Sequence, residues 1–196
     1  MPFSLILFSC LLFVQVVKAE NPHTYVKKIH SDIIQVIIEK QSIYKDSPEE
    51  FIKSIGEVLE PLVDFRRISK NVMGKHYKAA SEIQREEFQK VFKSTLLDTY
   101  SKTLAEFKDE EIKVLPKTTT SINPKKEKVY LEIITSTKVY PAFYNMYLNN
   151  QEEWKLINIV LNGVNLGITF RNQFYSLMKQ QENDIDKVIN LWVSYF

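Results

Sequence analysis

The hydrophobic residues of this chain change their period twice, near residues 110 and 167, and those changes set the class of fold. Up to Phe107 apolar positions recur about every 3.6 residues; between Ile112 and Leu161 they alternate or run on continuously. Helical periodicity returns after Gly167. Helices first, an antiparallel sheet next and helices last predict an α+β domain, because strands and helices do not alternate as a parallel sheet would require. At 196 residues the chain is of a size that one core can serve.

The helical half is well punctuated. Ile29, Ile33, Val36 and Ile37 mark a first helix from Tyr25 to about Tyr44. Ser47 as N-cap, Pro48 at N1 and Glu50 at N3 start a second, with Phe51, Ile55 and Leu59 inward. Pro61 is expected to open a short third segment through Phe65 and Val72 that Gly74 ends. Ser81 and Gln84 form a capping box ahead of the longest helix, from Glu82 to about Phe107, with Phe88, Phe92, Leu96, Tyr100 and Leu104 along one side. About four strands follow, at 112–115, 129–137, 139–148 and 154–161, and helices at 169–181 and 184–195 close the chain.

Residues 1–19 read differently. Phe3 to Val17 is almost wholly apolar and turns polar at Lys18-Ala19-Glu20, the pattern of a signal peptide cleaved after Ala19. Residues 20–196 are then the single domain. The one cysteine, Cys10, leaves with the leader, which excludes disulfides, thiolate metal sites and a cysteine nucleophile. An exported, cysteine-free chain fits a bacterial periplasm.

Enzymatic signatures are not found. The four glycines never form the close triplet of a phosphate cradle, and no Gly-x-Ser-x-Gly elbow exists. His23, beside the cleavage site, is expected to fray; His30 lacks a His-Glu-x-x-His companion; His76, among Lys75 and Lys78, suits a helix end. Carboxylate pairs such as Glu49-Glu50 and Glu86-Glu87 fall at helix starts, where solvated faces account for them. No catalytic residue, metal or cofactor is expected, and a formal charge of +2 gives no general pull toward nucleic acid.

Two patterns exceed what a plain core needs. The strand at 139–148 carries Val139, Phe143 and Tyr147 on one face but Tyr140, Tyr144, Met146 and Leu148 on the other. That at 154–161 sets Ile157, Ile159 and Leu161 opposite Trp154, Leu156 and Val160. Either helices cover both faces, or helices stand off one face and leave an apolar cavity. Arg66, Arg67 and Lys70 form a basic side opposite Phe65, Ile68 and Val72, either a solvated face or a rim for an anionic headgroup or acidic partner.

Three stretches in register resemble the MlaC family of periplasmic phospholipid-binding proteins, also called toluene-tolerance auxiliary transport proteins. They are Val63-Asp64-Phe65-Arg66-Arg67-Ile68 with Val72-Met73-Gly74-Lys75-His76-Tyr77, the capped helix from Ala80-Ser81 through Leu96-Leu97 to Tyr100, and Trp154-Lys155-Leu156 through Asn162-Gly163-Val164-Asn165-Leu166 to Phe170-Arg171-Asn172-Gln173-Phe174. Asn158, Asn165 and Phe170 depart from the family's usual Asp, Ser and Tyr.

The resemblance implies a monomeric carrier of phospholipid between the outer and inner membranes, maintaining outer-membrane asymmetry. The implied partners are an inner-membrane ABC transporter with an MCE-domain subunit and an outer-membrane lipoprotein–porin complex. A related branch handles hopanoids. The cavity is expected between sheet and helices, lined by Phe65, Met73, Tyr100, Leu131, Ile133, Phe143, Tyr147, Ile159 and Phe174, with Arg66, Arg67 and Lys70 as headgroup rim or docking residues. A non-lipid interaction module of the envelope is the alternative.

Overall fold

The computed structural model describes residues 20–107, 110–118 and 121–195, so the expected leader and Cys10 lie outside the described residues. The elements run α1 (Pro22–Lys40), α2 (Pro48–Leu59), α3 (Phe65–Met73), α4 (Glu82–Ala105), β1 (Glu111–Val114), β2 (Lys126–Ile134), β3 (Val139–Leu148), β4 (Trp154–Leu161), β5 (Val164–Asn165), α5 (Leu166–Gln180) and α6 (Ile185–Trp192). The sheet is an antiparallel meander in chain order β1-β2-β3-β4-β5. Its fifth strand is two residues long and lies inside what reads as a Gly-Val-Asn-Leu turn.

Local chemistry sets the helix ends. Ser81 and Gln84 complete the expected capping box, each side chain meeting the other's backbone N–H. Ser47 stands at the N-cap of α2, but its side chain makes no capping bond; its carbonyl accepts from Glu50 N instead. The third helix begins at Phe65 rather than Pro61, because the Asp64 carboxylate caps it by accepting from Arg67 N at 2.8 Å. The preceding Leu62 and Val63 run alongside β4, where Leu156 N donates to Leu62 O and Asp64 N to Leu156 O. His23 is not frayed: its Nδ1 lies 3.1 Å from Leu115 O and ties α1 to the segment after β1.

Helices cover one face of the sheet. Val129, Met146, Trp154 and Leu156 pack with Val26, Ile29, Ile33 and Ile37 of α1 and with Phe51 and Ile55 of α2. The other face carries a half-exposed strip in which Tyr130 and Phe143 pair at 5.6 Å with Lys128 over the Phe143 ring. A second core gathers Phe88 and Phe92 of α4, Val72 and Met73 of α3, Phe174 of α5 and Trp192 of α6. The two cores share α4. Its i, i+4 row from Phe88 to Leu104 slips by about 40° per step, because four residues overshoot a 3.6-residue turn. The row therefore starts in the aromatic core and ends in the other, instead of marking one straight side.

Gly74 joins α3 to the second core and carries a testable constraint. Its φ is +51°, and a Cβ there would run into the Tyr175 hydroxyl. That hydroxyl accepts from Lys75 N at 2.9 Å. Gly74→Ala is expected to cost about 1–3 kcal/mol, from backbone strain plus a displaced hydroxyl. Urea titration measures it, and adding Tyr175→Phe to Gly74→Ala should recover part of the loss; two purely additive costs would contradict the steric account.

Candidate functional site

Where the two cores meet, the side chains leave a space. An apolar cavity of about 180 Å³ lies between the covered face of the sheet and the helices. α1 contributes His30 and Ile33, α2 Ile55 and Leu59, and α4 Leu97, Tyr100, Ser101 and Leu104; Tyr144, Leu156 and Ile159 form the sheet wall. Leu166, Gly167 and Phe170 at the start of α5 close one side, held by Asn158 Oδ1, which accepts from Gly167 N at 2.9 Å. A Cβ on Gly167 would lie 2.6 Å from that oxygen, so this close approach needs glycine. Asn158 thus does structural work at the position where the resembled family usually has Asp.

A β-bulge sets the sheet wall. In the β3–β4 pairing Tyr144 faces Ile159 and Met146 faces Leu156, with the register shifting between Asn145 and Met146. One extra residue in β4 brings Leu156 and Ile159, three apart, onto the same face. Simple alternation places them on opposite faces, and in that respect the expected face of Ile159 is corrected.

The cavity adjoins a polar basin, and Val63 and Phe65 line both. In the basin the Tyr147 hydroxyl donates to Asp64 Oδ2, and the Arg67 guanidinium lies 4.0 Å above the Tyr147 ring. Burial, helped by the Asp64 carboxylate, pushes the Tyr147 phenol above its ordinary pKa. Lys93 reaches Glu60 at 2.6 Å and lies over the Phe65 ring, while Lys155 Nζ donates to Pro61 O at 2.7 Å. Arg66 completes the wall. The arrangement is amphipathic: an apolar cavity opens beside a site rich in cations and hydrogen-bond donors.

Of the nine residues expected on the cavity, Phe65, Tyr100 and Ile159 line it. Met73 and Phe174 are fully buried in the aromatic core instead. Leu131 is buried and Ile133 half-buried on β2, away from the cavity, and Phe143 and Tyr147 lie on the uncovered face of the sheet. Arg66 and Arg67 border the basin; Lys70 is exposed and lies over the Tyr77 ring at 5.2 Å. His30 was not expected here, yet it falls in phase with Val26, Ile33 and Ile37 on the buried stripe of α1. That phase is the signal that could have found it.

Comparisons with known proteins point to one family and one fold. The family model described as MlaC protein matches residues 27–194. Toluene tolerance protein ttg2D of Pseudomonas putida is 32% identical over 178 residues, covering 90% of this chain and 81% of the relative. The intermembrane phospholipid transport system binding protein MlaC of Haemophilus influenzae is 25% identical over 166 residues, covering 82% and 76%. Among solved structures, the phospholipid-binding protein of Ralstonia solanacearum, in complex with a phospholipid, has the same fold: TM-score 0.78 at 19% identity, over 89% of this chain and 99% of that one. By sequence over nearly its full described length, and by fold, this chain belongs to the MlaC family.

Proposed function

We propose that this protein is a periplasmic phospholipid carrier and not an enzyme. The observation that carries this reading is the apolar cavity opening beside a cationic, donor-rich basin through the shared walls of Val63 and Phe65. Acyl tails take the cavity, and the phosphate takes the basin beside Arg66 and Arg67. The name of the Haemophilus relative supports a transport role, and the apolar leader supports export. Among the described residues no helix is long and apolar enough to cross a membrane.

The energetics explain why a carrier is needed. Each methylene held away from water contributes about 0.8 kcal/mol, so two long tails cross an aqueous space only when enclosed. At about 180 Å³ the cavity is smaller than the ~300–1,000 Å³ of pockets that hold drug-sized ligands. Loading therefore requires the helices to move off the sheet. In this reading the protein takes lipid from an outer-membrane lipoprotein–porin complex and delivers it to an inner-membrane ABC transporter through an MCE-domain subunit, maintaining outer-membrane lipid asymmetry.

Native mass spectrometry of freshly purified protein tests the reading. Co-purifying phospholipid is expected; protein that is ligand-free, and stays so after incubation with liposomes, favours a non-lipid interaction module. Phe143→Asp is a control for location. Phe143 lies on the uncovered face beside Lys128, so the variant should keep its lipid, and lipid loss without unfolding would place the tails on the wrong side of the sheet.

A further inference from the structure

Among the described residues six polar side chains are buried, and they divide cleanly. Four are partnered: Ser54 Oγ donates to Glu50 O and accepts from Lys40, Ser69 donates to Arg66 O, Thr95 donates to Val91 O, and Glu127 accepts from Lys117. The other two are His30, 6% exposed, and Ser101, fully buried; His30 Nδ1 and Ser101 Oγ have no hydrogen-bond partner. Those two are also the ones that line the apolar cavity. A buried polar atom without a partner bears its full desolvation cost, and such atoms are rare enough in native folds to need a reason.

Position narrows the reason. His30 stacks on Tyr144 at 5.7 Å, and Tyr144 faces Ile159 across the sheet. Ile159 is three residues along β4 from Leu156, which bridges to Val63 at the basin. The bulge makes those three residues of β4 span only two of β3, Tyr144 to Met146, so at ~3.3 Å per residue His30 stands roughly 7 Å inside the cavity from the basin. It faces the tail zone and not the phosphate. Burial holds the imidazole neutral, with its pKa pushed down to about 4, so it presents one N–H and one acceptor nitrogen. With the cavity at about 180 Å³ both polar atoms are covered, and the widening that admits tails uncovers this wall.

We propose that the cavity is built for acyl chains that carry a hydroxyl group within their hydrocarbon part, with His30 and Ser101 as its hydrogen-bond partners. The inference rests on the lipid-carrier reading and names the chemistry of the tail. A hydroxyl both donates and accepts, so it satisfies a neutral imidazole or a serine in either orientation. A chain of methylenes alone leaves both atoms unpaired.

The test is calorimetric titration of the delipidated protein with stearic acid and with its derivatives hydroxylated at carbon 3, 10 or 12. At least one hydroxylated acid is expected to bind about three- to tenfold tighter than stearic acid, the gain of one or two net hydrogen bonds. The double variant His30→Phe, Ser101→Ala keeps the stacking surface and should bind all four acids alike, with its circular dichroism spectrum and melting temperature reporting an intact fold. Equal binding of all four acids by the unmodified protein overturns the inference and leaves the carrier reading standing. A preference that survives in the double variant overturns the assignment to these residues. Binding of none of the acids also overturns the inference, while the phospholipid content of the purified protein decides the carrier reading separately.

Discussion

Ile159→Trp is expected to deprive the protein of its lipid while leaving it folded. Ile159 lies half-buried on the covered face of β4, opposite Tyr144, and borders the cavity directly. An indole there extends into existing space, so the usual 1–3 kcal/mol penalty for overpacking a filled core is largely avoided. Tryptophan also suits a strand. The tails meet the difference: excluding about four methylenes removes ~3 kcal/mol of burial, about a hundredfold in affinity. Lipid per protein molecule by native mass spectrometry, read beside the melting temperature, checks it. Unchanged lipid content in a protein of unchanged stability would show that the tails lie elsewhere.

Much of the fold was legible because its signals are local. The capping box at Ser81 and Gln84, the glycine that ends α3 and the strands from β1 to β4 each rest on residues within one turn or one pairing of each other. The α+β class followed from the two changes of period, near residues 110 and 167. What local pattern could not carry was phase. The extra residue in β4 shifts Ile159 onto the face of Leu156, and nothing in the strand's composition announces an insertion. The row from Phe88 to Leu104 likewise passes from one core to the other by a drift that a helical count smooths over.

The site was legible in kind and less so in membership. That strands apolar on both faces implied either two helical layers or a cavity was readable; the outcome is one helical layer, a cavity beneath it and a half-exposed aromatic strip on the far side. Met73 and Phe174 have the apolarity and period of cavity residues, but the same pattern serves the aromatic core in which they pack. A cavity is a place where side chains fail to meet, so it depends on how two cores abut and not on any one stripe. The informative exception is a polar residue in phase with an apolar stripe, and His30 is one.

The aromatic core should prove to be the structural anchor, and Phe88→Ala its most damaging truncation. Phe88 has no exposed surface and meets three rings: Phe174 at 4.8 Å, Trp192 at 5.2 Å and Phe92 at 5.8 Å, the first two edge-on. Such edge-to-face pairs add about 0.5–1.5 kcal/mol beyond area burial. Four elements converge here, since Phe88 and Phe92 belong to α4, Phe174 to α5, Trp192 to α6, and Val72 and Met73 to α3. Rigid rings cannot collapse into the void as aliphatic chains can, so the variant keeps most of its cavity and loses about 3–5 kcal/mol. In a domain of this size the melting temperature then falls on the order of 10 °C. Phe88→Leu should fall between the two, and lipid content per folded molecule should hold, because Phe88 does not border the lipid cavity. A fall of less than about 3 °C would mean that this cluster relaxes freely and that the cavity's walls are anchored through the other core.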